Sequence, residues 1–129
     1  KRYQEVVDYM MPLYNQKELC LLRHKSNPRG FEAFINNGLS CFLDSQKEEH
    51  IQKAMQLLNI LDSCIPQWQS KLVPYTFACI TARAGAIDRC FKYIELALSQ
   101  GDTIHSMAHD SDFANVHNHP RFLALLKVA

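Results

Sequence analysis

The sequence predicts an all-α protein, and three observations carry that expectation. Apolar residues recur with a helical period almost everywhere. β-Branched alternation is absent over any run of five residues. Gly85, Gly101 and Pro120 stand where helices would stop or start. Tyr3, Val6, Val7, Met10, Met11 and Tyr14 follow the i, i+3, i+4, i+7 rule and open the first helix. Pro12 lacks an amide and should kink or split it, leaving a second piece over Glu18 to His24. Ser26-Asn27-Pro28-Arg29-Gly30 reads as a turn.

Phe31, Phe34, Ile35, Leu39 and Phe42 form the next stripe, ending at Asp44-Ser45. Ser45 and Glu48 have the spacing of a capping box, which would open the following helix. That helix carries Ile51, Ala54, Met55, Leu58 and Leu61 on one face. Another should start near Val73, with Pro74 in its first turn, and end at Gly85 as a left-handed cap. Ile87, Cys90, Phe91, Ile94, Ala97 and Leu98 then define a helix over about 87 to 100. The stretch 102–119 is polar and reads as turns or one short helix, before His119-Pro120 opens a last helix with Phe122, Leu123, Leu125 and Leu126.

Composition narrows the function classes. The chain has 129 residues, 47% apolar and 21% charged, which fits a single globular domain over 1–129. Its net charge of +1 disfavours a role that depends on gripping phosphate backbones, so no nucleic-acid partner is expected. No apolar stretch approaches membrane-spanning length, so no membrane partner is expected either. Five cysteines, odd in number and without a C-x-x-C pair, sit inside apolar runs. They read as reduced core residues and point to a cytoplasmic location.

Self-comparison adds a repeat. Gly38-Leu39-Ser40-Cys41 aligns with Thr76-Phe77-Ala78-Cys79 at an offset of 38 residues. The following helices align at an offset of 36: Ala54 with Cys90, Leu58 with Ile94, Leu61 with Ala97. Small residues in such a pattern let paired helix axes approach closely. The run from Phe77 to Gly85, followed by Cys90, Ile94 and Ala97, resembles a tetratricopeptide repeat (TPR). The tail from Asp112 to Leu126, with His119-Pro120-Arg121-Phe122, resembles the segment that often caps the last repeat. Pro74 and Thr81 stand where the repeat carries tryptophan and tyrosine.

The resemblance implies helical hairpins at about 31–64 and 72–101, stacked as a short TPR-like α-solenoid, with a C-terminal capping segment over 102–129. It also implies a concave groove lined by the first helices. The groove positions would be Phe34, Asn37, Cys41 and Asp44 in the earlier hairpin and Leu72, Tyr75, Cys79 and Arg83 in the later one. These do not include the lysine–asparagine pattern with which some members of the family clamp acidic tails.

Catalytic and metal chemistry find little purchase. His105 and His109, with His117, His119, Asp110 and Asp112 nearby, have a spacing that can hold zinc, but the segment is loop-like and lacks the glutamate of a hydrolytic site. Glu48-Glu49-His50 is the densest acid–base group and lies in a helix first turn, where acids complement the dipole. No phosphate-cradling glycine loop and no nucleophile elbow occurs. The expectation is therefore a non-enzymatic module without cofactor or metal that binds another protein. The alternative is a small cytoplasmic immunity or inhibitor protein that neutralises a toxin or enzyme through loops. The basic turn with Lys17, Arg23, His24, Lys25 and Arg29, or the acidic loop 44–49, would then be the contact.

Overall fold

A computed structural model describes residues 2–129, and no strand occurs among them. The helices are α1 (Tyr3–Met10), α2 (Lys17–Ser26), α3 (Pro28–Asp44), α4 (Glu48–Cys64), α5 (Leu72–Ala84), α6 (Ile87–Ser99), α7 (Ile104–Ala108) and α8 (Pro120–Val128). Two 3-10 segments, Met11–Asn15 and Ser111–Val116, complete the set. None of the helices among the described residues is long and apolar enough to cross a membrane.

Pro12 ends α1 by turning the chain into the first 3-10 segment, because its missing amide and its ring prevent continuation. The expected five-residue turn at 26–30 is much tighter. Asn27 alone is non-helical; its side chain caps the Gly30 amide at 3.1 Å and Pro28 takes the first helical position. Gly85 (φ 79°) closes α5 in the left-handed region, with the Ala86 amide reaching back to Thr81 O at 2.9 Å. The Ser45–Glu48 capping box does not form. Lys47 is the N-cap of α4 and Gln46 adopts φ 62°, so the Ser45 hydroxyl turns back to Phe42 O at 2.9 Å.

α5 is the central element. It packs most extensively on α6 and also contacts α3, α4 and the second 3-10 segment. That position explains why it is buried almost all round, from Val73 and Pro74 through Thr76 to Ala82. α1, α3 and α5 lie side by side in succession, while α2 rests on α3 and α4, and α4 rests on α5. The α5–α6 joint depends on small residues: Cys90 Sγ lies 3.4 Å from Ala78 O, and both residues are fully buried. Gly38 plays the equivalent part against α1, because a Cβ there would come within 2.7 Å of Met10.

An aromatic chain runs through the middle, each ring meeting the next by its edge: His24, Trp68, Phe77 and Tyr93. Burying aromatic rings of this kind contributes about 1.5–3 kcal/mol each, with edge-to-face contacts adding about 0.5–1.5 kcal/mol per pair. Cys20, Cys79 and Cys90 are buried and Cys41 and Cys64 half-buried, all five as free thiols.

Candidate functional site

The face shared by α3, α5 and the second 3-10 segment carries an open cavity of about 260 Å3. From the earlier hairpin it receives Asn36, Ser40, Leu43 and Asp44; from the later one, Leu72, Tyr75, Thr76 and Cys79. Asp110 and Asp112 close it from the C-terminal side.

Of the eight positions expected to line a groove, Asp44, Leu72, Tyr75 and Cys79 meet in this cavity. Arg83 stands at its edge. Phe34 lies elsewhere, beside Tyr9 at 6.2 Å and Phe31 at 6.3 Å, on the side of α3 facing α1 and α2. Asn37 is exposed and Cys41 half-buried, and neither lines the cavity. α3 instead presents the residues one position earlier, Asn36 and Ser40. One residue of helix is about 100° of rotation, and the contact of Gly38 with Met10 fixes which side α3 turns inward.

The polar groups are interlocked. Tyr75 reaches across to the 3-10 segment, donating its hydroxyl to Asp110 Oδ2 at 2.7 Å with its ring edge-on to Phe113 at 5.5 Å. Asp110 caps that segment, its Oδ1 accepting the Asp112 amide at 2.9 Å. Arg83 Nη1 donates to Asp112 Oδ1 at 3.0 Å and to Leu43 O at 3.4 Å, and Nη2 donates to Gln46 Oε1 at 3.2 Å. Arg83 thus ties the end of α5 to the end of α3 and to the 3-10 segment. Thr76 donates to Asn36 Oδ1 across the α3–α5 seam.

Electrostatically the cavity is negative. Asp44, Asp110 and Asp112 face it with Arg83 as the cation bonded at its edge. Burial raises the Asp112 carboxyl above its usual range, and Asp110 and Asp44 add to the shift although the Arg83 bond opposes it. Burial pushes the Cys79 thiol well up, with Asp112 and Asp110 adding to it. The Tyr75 phenol rises for the same reasons, burial first and then its bond to Asp110. A thiol held protonated in this way is a poor nucleophile.

The histidines have other places. His105 and His109 are exposed, His117 Nε2 lies 3.1 Å from Met107 O, and His119 Nδ1 accepts the Arg121 amide at the start of α8. His24 leaves the basic turn for the interior, where its Nε2 meets Glu32 Oε2 at 2.7 Å, while Arg23, Lys25 and Arg29 stay exposed. His50 is also fully buried, bonded to Ser45 Oγ at 2.7 Å and Gln4 Oε1 at 3.0 Å. Asn36, Ser40 and Thr76 were not singled out by pattern, since polar residues on a helix stripe carry no signal of what they face. Compared with known protein families, curated proteins and solved structures, the chain matches none.

Proposed function

We propose that this chain is a non-enzymatic protein-interaction module whose α3–α5 face receives a segment of another protein. The observation that carries the reading is Leu72. This leucine is 51% exposed at the rim of a cavity whose floor is built of side chains already fixed by hydrogen bonds. An apolar rim residue over a preorganised polar floor offers an anchor point at little ordering cost. With this reading goes the proposal of a short solenoid of TPR-like hairpins, in which α1, α3 and α5 lie side by side and 102–129 is the cap.

Tyr75 and Arg83 hold the floor together, so truncating either disturbs the fold as well as the surface. Leu72 is the cleaner probe. A photo-crosslinking side chain at position 72 should capture a partner from an extract of the native cell. Leu72→Arg should reduce affinity for that purified partner at least about ten-fold with an unchanged melting temperature. Charge reversals at Arg23, Lys25 and Arg29, or at Glu48 and Glu49, should leave it within about two-fold, since rim charges mainly alter association rates. The opposite pattern, loop reversals abolishing binding and Leu72→Arg harmless, makes the plug-like immunity or inhibitor protein the better reading.

A further inference from the structure

Cys79, Asp110 and Asp112 converge on one point of the α3–α5 cavity, and one potential ligand atom from each lies within 4.8 Å of the others. The thiol distinguishes this cluster from a group of surface acids. Cys79 is 3% exposed, yet its sulfur has no hydrogen-bond partner among the described residues. Cys64 and Cys90 donate to Leu61 O at 3.6 Å and Ala78 O at 3.4 Å, whereas Cys20 is buried and equally unbonded; Cys79 differs from Cys20 in facing two carboxylates.

The carboxylates are held from behind. Tyr75 and the Asp112 amide fix Asp110, and Arg83 fixes Asp112 through Oδ1, leaving Asp112 Oδ2 without a donor. Ligating carboxylates are oriented by bonds of this kind. We propose that Cys79, Asp110 and Asp112 form a site for a divalent transition-metal ion of the zinc class, bound by one thiolate and two carboxylates.

The donor set selects the ion. A thiolate disfavours magnesium and calcium, and two carboxylates disfavour copper(I), which leaves borderline ions such as zinc and cobalt. Tetrahedral ligands at about 2.0–2.3 Å from zinc stand about 3.3–3.8 Å apart, so the widest pair closes by about 1 Å on binding. The half-buried aspartates must turn within their bonds to Tyr75 and Arg83 to supply that movement. Water completes the shell, and the cavity of about 260 Å3 has room for it.

Charge closes as well. When the Cys79 proton passes to solvent and the sulfur–metal bond forms, three negative ligands face one dication and the Arg83 guanidinium, and no net charge remains among them. The site shares its cavity with the protein-binding reading, but its test needs no partner and can fail or succeed separately.

Cobalt(II) is the probe. One equivalent added to the purified chain should bind with tetrahedral visible bands and a thiolate-to-cobalt charge-transfer band in the near ultraviolet. Cys79→Ser should abolish the charge-transfer band, while Cys41→Ser and Cys64→Ser leave it unchanged. Asp112→Asn should weaken affinity at least ten-fold, and Tyr75→Phe about ten-fold, as loss of an orienting bond typically does. Circular dichroism checks each fold. Should Cys79→Ser unfold, the wild-type band together with the loss in Asp112→Asn still decides the matter. No stoichiometric binding, a band that survives in Cys79→Ser, or unaltered affinity in a folded Asp112→Asn variant overturns the proposal. So does binding that disappears only when His105 and His109 are replaced.

Discussion

Two acidic sites in this molecule, one buried and one open, are built in opposite ways. Glu32, on α3, is 2% exposed and completely answered. Its Oε1 accepts the Ser70 amide at 2.8 Å; its Oε2 accepts the Gln69 amide at 2.9 Å and meets His24 Nε2 at 2.7 Å. One side chain thereby joins α2, α3 and the linker between α4 and α5. The cavity on the next seam of the fold holds Asp44, Asp110 and Asp112 against Arg83 and one phenol. Both carboxylate oxygens of the first site accept bonds from the chain itself; the second keeps negative charge in excess. α3 supplies an acid to both, and the difference separates a joint that holds the fold from a surface left with capacity for something outside it.

The largest expected effect falls on the closed joint. Glu32→Ala removes the acceptor for two linker amides and the partner of His24, and should lower stability by about 3–5 kcal/mol. Urea denaturation measures it, and a loss below about 1 kcal/mol would mean that water already satisfies the linker. A second closed joint gives an intermediate effect. Asp62 accepts from Tyr93 Oη at 2.7 Å and from Trp68 Nε1 at 3.3 Å. Tyr93→Phe should cost about 1–2 kcal/mol at neutral pH.

That residue also carries a pH signature. Burial, with the Asp62 bond adding to it, pushes the Tyr93 phenol up to about 12. The folded chain therefore holds this proton more tightly than the unfolded chain, whose phenol titrates near pH ~10. The stability it contributes is complete below about pH 10 and is lost as pH rises toward 12. Denaturation midpoints across that window should fall more steeply for wild type than for Tyr93→Phe. The smallest effect belongs to the open cavity. Asp112→Asn relieves crowding among the acids and loses part of the Arg83 attraction, so stability should change by less than about 1 kcal/mol. A cost equal to that of Glu32→Ala would show the cavity to be another structural joint.

The all-helical architecture was legible because its punctuation is local. Pro28, Pro120, Gly85 and Gly101 act within one turn of themselves, and the stripe Cys90, Phe91, Ile94, Ala97 needs only its own period to be read. Ser45 failed as a cap for a reason 41 residues away in sequence, at the far end of the Gln4–His50 bond. His50 occupies the serine hydroxyl from one side while Gln4 holds its other nitrogen. The face of α3 was displaced by one residue because Met10 decides its rotation, and nothing within α3 records that contact. Asp110 and Asp112 were visible as a pair, but the neighbouring histidines drew the reading. Their actual companion, Cys79, lies 31 residues before Asp110 and resembles any other core cysteine in sequence. Likewise Glu32 and His24 look like ordinary surface charges until the linker amides arrive.

Trp68 has a practical consequence. It is the chain's sole tryptophan, 3% exposed, and its ring meets His24 at 5.7 Å and Phe77 at 5.3 Å while its indole donates to Asp62. Light absorbed selectively by indole is therefore emitted from a single spot, the junction of α2, α4, α5 and their linker. The emission maximum of the native protein should lie at short wavelength and move to the red when that junction hydrates. Circular dichroism, in contrast, averages over every helix. If the two signals trace one curve against urea, the helices melt as a unit. If fluorescence moves first, the centre of the molecule opens while its outer helices persist, and an interior optical reporter already written into the chain will have located the opening.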